Sequence, residues 1–202
     1  MILARAYQCT MHFWLQSLWL AAPVIAGGTL HILAMKAGVL QGLARVPIDG
    51  GLTFRSRRIF GDNKTLRGVL LMTALTTICA VGQAALESHF DWARALSLPG
   101  AGTLIPIRWG ALLGLGYVAG ELPNSFLKRQ LDIKPGEAGR GAWAPVFWMI
   151  DQVDSLAGTL LAMPLMWTPP IEAVAALLVI TLTVHPLAAA GMVALGLKRR
   201  VG

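Results

Sequence analysis

Long apolar runs separated by shorter polar segments dominate the chain. Crossing a bilayer takes about 20 mostly apolar residues in a helix, and four runs approach that length: 13–34, 68–86, 105–122 and 171–197. A fifth run, 145–167, qualifies only if it includes Asp151 and Asp154. Its uninterrupted apolar part, 155–167, would span only about 20 Å as a helix, less than the ~30 Å hydrocarbon core. If 145–167 crosses the membrane, both aspartates lie in the membrane or at its edge.

The composition agrees with this pattern. The chain is 55% hydrophobic and 13% charged, whereas soluble domains carry about 25% charged residues. Too little polar surface remains for a water-soluble globule. We predict an all-α integral membrane protein with about five transmembrane helices, in which two cytoplasmic loops form the active site, and a single transmembrane domain over 1–202.

The basic residues are distributed unevenly about the apolar runs. Five spans place 35–67, 123–144 and the tail 198–202 on one side, and these segments hold 14 of the 17 lysines and arginines. Loops rich in Lys and Arg remain in the cytoplasm. We therefore expect a multi-pass protein of the cell membrane, with its N-terminus outside and with its C-terminus and both loops inside.

The two aspartates of the fifth run are candidate metal ligands. Asp151 and Asp154 are three positions apart, so on a helix they share one face. Each acid at a helix centre costs about 2.5–3.5 kcal/mol on insertion scales, and like charges repel each other. Mg²⁺ would compensate both, since it prefers one or two carboxylates together with phosphate oxygens. The alternative is an interfacial helix start whose acids face water.

Two basic segments offer sites for phosphate. The first reads Gly61-Asp62-Asn63-Lys64-Thr65-Leu66-Arg67-Gly68. It combines a turn, cations, a hydroxyl and backbone amides near a helix N-terminus, all of which suit phosphate. The second reads Glu121-Leu122-Pro123-Asn124-Ser125-Phe126-Leu127-Lys128-Arg129. It supplies adjacent cations, and the arginine fork matches two phosphate oxygens. Taken alone, the first segment equally fits a basic flank that contacts anionic headgroups, and the second a solvated helix end.

Glycines in the third apolar run favour close helix packing. The run contains small residues four positions apart, which allow two helix backbones to approach each other in a membrane. They are Gly110, Gly114, Gly116 and Gly120. A hinge or substrate groove is the other interpretation of this pattern.

All three polar segments lie on the predicted cytoplasmic side. A metal, cations and a phosphorylated substrate are the components of phosphoryl or nucleotidyl transfer, in which positioning and charge neutralisation supply most of the catalysis. A cation- or proton-coupled transporter that uses the aspartates as an ion site is the alternative. It gives no reason for the two basic segments.

In order and spacing, these motifs resemble the CDP-archaeol synthase family, which belongs with the CTP-dependent phosphatidate cytidylyltransferases. The resemblance covers roughly 36–164 and rests on three motifs together: the Gly-Asp-Asn-Lys-Thr-x-Arg-Gly run from Gly61, the Ser-Phe-x-Lys-Arg run from Ser125, and the Asp-Gln-x-Asp run from Asp151. The histidine-glycine-glycine element of the diacyl-lipid enzymes is absent. This absence favours the archaeol-type branch.

The resemblance implies a five-span enzyme that uses Mg²⁺ and CTP. It would convert a lipid phosphate, archaeol-type or phosphatidate-type, into a CDP-activated lipid with release of pyrophosphate. Its partners would be CTP, the lipid phosphate and membrane lipids, with no nucleic acid. The implied catalytic residues are Asp151, Asp154, Lys128 and Lys64, with both aspartates as metal ligands. The implied substrate-binding residues are Asp62, Thr65, Arg67, Glu121, Ser125 and Arg129.

Overall fold

A computed structural model describes residues 2–135, 137, 139 and 143–194. The helices are α1 (Ile2–Lys36), α2 (Leu66–His89), α3 (Asp91–Leu96), α4 (Pro106–Gln130), α5 (Ala144–Ala162) and α6 (Ile171–Ala194). Short 3₁₀ helices occupy Gln41–Arg45, Ala101–Thr103 and Met163–Leu165. Two short strands, β1 (Thr53–Phe54) and β2 (Arg57–Arg58), pair antiparallel. Arg55 and Ser56 between them both have positive φ, as in the tight turns that suit the twist of a hairpin.

The predicted helical class is confirmed. Each of the five apolar runs forms a long helix: α1, α2, α4, α5 and α6. Within the described part of the chain, three segments are long and apolar enough to cross a membrane: Met11–Lys36, Leu66–His89 and Ile171–Gly191. The helices α4 and α5 carry the charged residues discussed below, and the number of spans stays a prediction.

One boundary differs from the sequence prediction. The third apolar run was predicted to end at 122 and to be followed by a loop, but α4 continues through Pro123 to Gln130. Proline removes one helical hydrogen bond, yet the residues beyond it pack against neighbouring elements. Asn124, Ser125, Lys128 and Arg129 are all buried there. The second basic segment is therefore the last two turns of a helix, and not a loop.

Glycines bring α4 into close contact with the helices on both of its sides. A Cβ atom at Gly114 would lie 2.7 Å from the Cα atom of Thr73 on α2. A Cβ atom at Gly120 would lie 2.8 Å from the backbone nitrogen of Gly158 on α5. Real Cβ atoms almost never approach another atom so closely. The packing role predicted for the α4 glycines is confirmed.

An apolar core joins α1, α4 and α6 at the end of the molecule opposite the polar site described below. Leu20, Trp109, Leu113 and Leu177 are buried in it, and Trp167 packs against it. Nearby, the Trp19 indole donates a hydrogen bond of 2.7 Å to Glu87 Oε1 at the end of α2. The tail 198–202 and Arg140, which were counted among the basic residues of the predicted cytoplasmic side, lie outside the described residues.

Candidate active site

The two aspartates of α5 face the polar end of α4. The Asn124 amide donates to Asp151 Oδ1 at 2.6 Å and to Asp154 Oδ2 at 2.7 Å. The Lys128 ammonium lies 2.6 Å from each oxygen of Asp151. The second oxygen of Asp154 accepts from the backbone N–H of Ser155 at 2.6 Å. The structure thus brings Lys128 of the second basic segment next to the aspartate pair of the fifth apolar run.

A second acid–base pair lies one helical turn back along α4. Lys64, just before α2, forms an ion pair with Glu121. The Tyr117 hydroxyl interacts with Glu121 and with Ser155. His31 of α1 lies within electrostatic range of Glu121 and Lys64. The site is therefore built by α1, α4 and α5 together with the segment that precedes α2, because each of them places at least one polar side chain there.

Arg129 is a buried cation of the site, and the residue is only 8% exposed. Neither Nε nor Nη1 of its guanidinium has a hydrogen-bond partner among the described residues. Gly61, with φ +91°, lies against it, because a Cβ atom there would come within 3.2 Å of Arg129 Cδ. Buried donors without acceptors are rare in proteins. This guanidinium is suited to bind an anion.

The loop that carries Gly61 is held by a buried acid, Asp49. One carboxylate oxygen accepts from Arg58 at 2.6 Å and from the backbone N–H of Gly51 at 3.0 Å. The other accepts from the backbone N–H of Phe60 at 3.0 Å and of Gly61 at 3.2 Å. Burial alone would raise the pKa of Asp49. The hydrogen bonds from Arg58 and the three amides outweigh it and hold that pKa well below its usual range.

Two other predicted substrate-binding residues, at the start of α2, make hydrogen bonds within the protein itself. The Thr65 hydroxyl caps this helix by accepting from the backbone N–H of Gly68 at 3.3 Å. Arg67 is buried and donates at 2.6 Å to the carbonyl of Met35, near the end of α1, and at 2.8 Å to that of Val39, just beyond this helix. Their substrate-binding roles stay predictions.

The remaining predicted contacts differ in exposure. The side chain of Asp62 is 82% exposed and pairs with Arg58 at the rim. Ser125 is buried within α4, next to the asparagine that bridges the aspartates. Asp62 is therefore open to a solute, whereas Ser125 is covered by the protein.

Sequence reasoning missed three polar residues of this region. Asn124 belongs to the second basic segment, but the sequence assigned it no function. It lies one helical turn before Lys128, so both residues share one helix face. Asp49 is held mainly by Arg58, Phe60 and Gly61, which lie 9 to 12 positions away. Tyr117 lies one turn before Glu121 but also interacts with Ser155 of α5, and no local pattern reveals that contact.

The residues around Asp151 fit Mg²⁺. No group of three or more His, Cys, Asp or Glu side chains that could hold a metal occurs in the described ranges. Mg²⁺ needs only one or two carboxylates when a substrate phosphate supplies further oxygens. Asp151 and Asp154 supply hard carboxylate oxygens of the kind that Mg²⁺ prefers, whereas the Asn124 amide turns its nitrogen toward both of them.

The chain also matches a known protein family. A model of the CarS-like CDP-archaeol synthase family matches residues 11–201. The chain belongs to the CDP-archaeol synthase family. Among its relatives, the CDP-archaeol synthase of Pyrococcus furiosus is 32% identical over 87% of this chain and 90% of its own length. The CDP-archaeol synthase of Thermofilum pendens is 35% identical over 75% of this chain and 64% of its own.

A solved structure supports the same family assignment. It is described as an intramembrane enzyme for archaeal membrane lipids biosynthesis, and it matches with a TM-score of 0.58 and 26% identity. The match covers 85% of this chain and 90% of the other. The predicted resemblance to the CDP-archaeol synthase family is thereby confirmed, as is the prediction of a helical membrane protein. The individual site residues and the metal stay predictions.

Proposed function

We propose that this member of the CDP-archaeol synthase family transfers CMP from CTP to a lipid phosphate in the membrane. The product would be a CDP-activated lipid, with pyrophosphate released, and the reaction would feed phospholipid biosynthesis. The observation that carries the proposal is the junction of α4 and α5. There, two carboxylates, an unengaged amide oxygen and three cations lie on one polar end of an otherwise apolar helix bundle.

The chemistry requires an oxygen of the lipid phosphate to attack the α-phosphorus of CTP as the bond to pyrophosphate breaks. Both reactants are anionic, so their charges must be neutralised before they can approach each other. Mg²⁺ bound through Asp151 and Asp154 would supply part of that neutralisation. Lys64, Lys128 and Arg129 would supply the rest by donating to phosphate oxygens.

The residues of the site also determine where the two reactants meet. Lys128 lies over the ring of Phe147, with its ammonium 5.8 Å from the ring centroid, so the cation is held between an apolar face and Asp151. Asn124 fixes the separation of the two carboxylates by donating to both. Such preorganised groups act without having to rearrange during the reaction. A CTP triphosphate would enter from the Gly61 loop, and a lipid phosphate from the bilayer beside α4 and α5.

The test is transfer of labelled CMP by the purified protein in detergent–lipid micelles with Mg²⁺. Two acceptors are compared, a diether and a diacyl lipid phosphate, with CTP labelled in the base. We expect label in the lipid fraction and one pyrophosphate released for each CMP transferred, with the diether acceptor preferred. Lipid that stays unlabelled with both acceptors would overturn the proposal.

The transporter alternative makes a different prediction. An ion pathway would leave CTP intact while vesicles containing the protein take up a cation or protons. This alternative gives no reason for the cations Lys64, Lys128 and Arg129, which lie at the same end of the bundle as the aspartates. Uptake without CTP consumption would favour it.

A further inference from the structure

A buried carboxylate with four hydrogen bonds, that of Asp49, lies outside all three sequence motifs. The side chain of Asp49 is 1% exposed, and each of its oxygens accepts two hydrogen bonds, as described above. Its four donors come from the start of the hairpin, from β2 and from the two residues that follow the hairpin. One carboxylate therefore fixes both ends of the segment 51–61.

The residues just before Asp49 are bonded through the backbone to the residues around Lys64. Ile48 donates its N–H to the carbonyl of Lys64 at 2.9 Å, and Leu66 donates to the carbonyl of Val46 at 2.9 Å. Pro47 and Thr65 form an antiparallel bridge between these bonds. Residues 46–48 therefore hold the backbone of Lys64 directly before Asp49 turns the chain into the hairpin.

Asp49 also controls the surroundings of Arg129. It holds the N–H of Gly61, the residue whose backbone lies against the Arg129 guanidinium. Any shift of Gly61 would change the space beside the two unengaged donors of Arg129. A contact outside the motifs therefore reaches both Lys64 and Arg129.

We propose that Asp49 is a positioning residue for nucleotide binding: its carboxylate shapes the 51–61 segment so that Lys64 and Arg129 face the same triphosphate. The inference rests on the proposed function. It assigns to Asp49 no contact with substrate. The depressed pKa of this acid agrees with a carboxylate that stays ionised in the folded loop.

The variant that tests this is Asp49→Asn. It keeps the size of the side chain but replaces one acceptor oxygen by an amide nitrogen, which faces two donors and accepts from neither. The matched control is Asp132→Asn. Asp132 pairs with Arg57 of the same hairpin, but its side chain is 71% exposed, and its positive φ is one that asparagine tolerates.

Three measurements separate positioning from plain stability. We expect Asp49→Asn to raise KM for CTP at least tenfold while KM for the lipid phosphate stays within twofold. We expect faster amide exchange over 47–64, and weaker binding of inorganic tripolyphosphate by calorimetry. Asp49→Glu, which keeps two acceptor oxygens, should recover part of the CTP affinity. The Asp132→Asn control should match the wild-type protein in all three.

The outcomes decide the inference independently of the activity. An Asp49→Asn protein with wild-type tripolyphosphate binding and wild-type exchange would overturn it. If Asp49→Asn does not fold, Asp49→Glu decides. The inference is overturned if Asp49→Glu is folded and binds tripolyphosphate no better than Lys64→Ala, which lacks one of the proposed phosphate contacts. If the wild-type protein transfers no CMP but Asp49→Asn still weakens tripolyphosphate binding, the proposed function fails and the positioning role stands.

Discussion

At the scale of single residues, two acids and two cations of the site are paired with each other before any substrate arrives, while Arg129 keeps two donors without a partner among the described residues. Lys128 is bound by Asp151, and Lys64 by Glu121. Two nearby like-charged acids would repel each other, and the Asn124 amide and Lys128 relieve that repulsion in the protein itself. A phosphate that binds at Lys128 competes with Asp151 for the ammonium, so substrate binding and the charge of the acid pair are linked.

The acid pair gives the first prediction. We expect Asp151→Asn and Asp154→Asn each to reduce CMP transfer to background, because each removes a carboxylate that the metal and the neighbouring donors require. Both variants should remain inserted and monodisperse. The assay is labelled CMP transfer with size-exclusion chromatography alongside. Asp91→Asn, which neutralises an exposed acid of α3, is the control. Mg²⁺-dependent activity retained by the double Asn variant would remove the metal assignment.

The cations give the second prediction. Charge-assisted hydrogen bonds to phosphate contribute about 1.5–3 kcal/mol each, which corresponds to roughly tenfold or more in kcat/KM. We expect losses of that size for Lys64→Ala, Lys128→Ala and Arg129→Ala. Arg55→Ala serves as the control, since Arg55 is exposed on the hairpin and contacts the Phe54 ring at 5.4 Å. A cation that only touches lipid headgroups contributes about 1 kcal/mol at any position, so equal small losses at Arg55 and Lys64 would mean ordinary basic flanks.

The third prediction concerns acid. The folded-state pKa of Asp49 lies below its unfolded value of about 3.9, because Arg58 and three backbone amides stabilise the carboxylate. A depressed pKa contributes stability that is fully present above the unfolded pKa and is lost as the pH falls through the folded one. Arg58, itself paired with Asp62, is the charged group that contacts Asp49.

Thermal unfolding in detergent measures this effect. At pH 7, Asp49→Asn should melt at a lower temperature than the wild-type protein. Below about pH 4 the difference should shrink, because the carboxyl of the unfolded wild-type chain then takes up a proton while the folded carboxyl stays ionised. A difference that stays constant from pH 7 to pH 3 would contradict the assignment.

At the scale of elements, the sequence predicted the helices well and their polar ends poorly. The five apolar runs each became a helix, the structure that satisfies its own backbone hydrogen bonds in an apolar environment. Pro123 suggested a helix end, but contacts from Asn124 and Lys128 to α5 keep α4 helical for two more turns. Asp49 could not be recognised, since its donors lie up to 12 residues away. Local patterns therefore gave the scaffold, and contacts between distant segments completed the site.

The contact between α4 and α5 gives the fourth prediction. Gly158→Ala should destabilise the protein by about 1–3 kcal/mol and reduce transfer strongly, because a Cβ atom there meets the backbone of Gly120 and separates Asn124 from the aspartates. Gly82→Ala is the matched control on α2, where a Cβ atom meets nothing within 4 Å and alanine favours the helix. Thermal unfolding and CMP transfer are measured on both. Equal melting temperatures for the two variants would show that the contact is not tight.

At the scale of the whole molecule, all polar groups of the site lie at one end of the bundle, and the Trp19, Glu87 and α3 region lies at the other. CTP is a cytosolic nucleotide that does not cross a bilayer. The polar end must therefore face the cytoplasm if the proposed function holds, in agreement with the distribution of Lys and Arg.

Cysteine labelling tests this orientation, which is the fifth prediction. In a chain whose Cys9 and Cys79 are replaced by alanine, a cysteine at Ser97 should react with an impermeant reagent in intact cells. A cysteine added after Arg200, beyond the described residues, should react only after the cells are opened. A tail that reacts in intact cells would mean an even number of spans, with 145–167 entering and leaving on one side.

The contact of Gly120 with Gly158 also constrains how the sequence can change over time. Each glycine occupies the space that a side chain on the other would need, so a substitution at one position remains harmful whatever happens at the second. No exchange of sizes between the two helices can restore the fit, in contrast to an ordinary core, where a larger residue on one side is compensated by a smaller one opposite. We expect these two positions to drift far more slowly than the apolar residues around them, and to mark homologues that retain the active site even where the surrounding sequence has diverged.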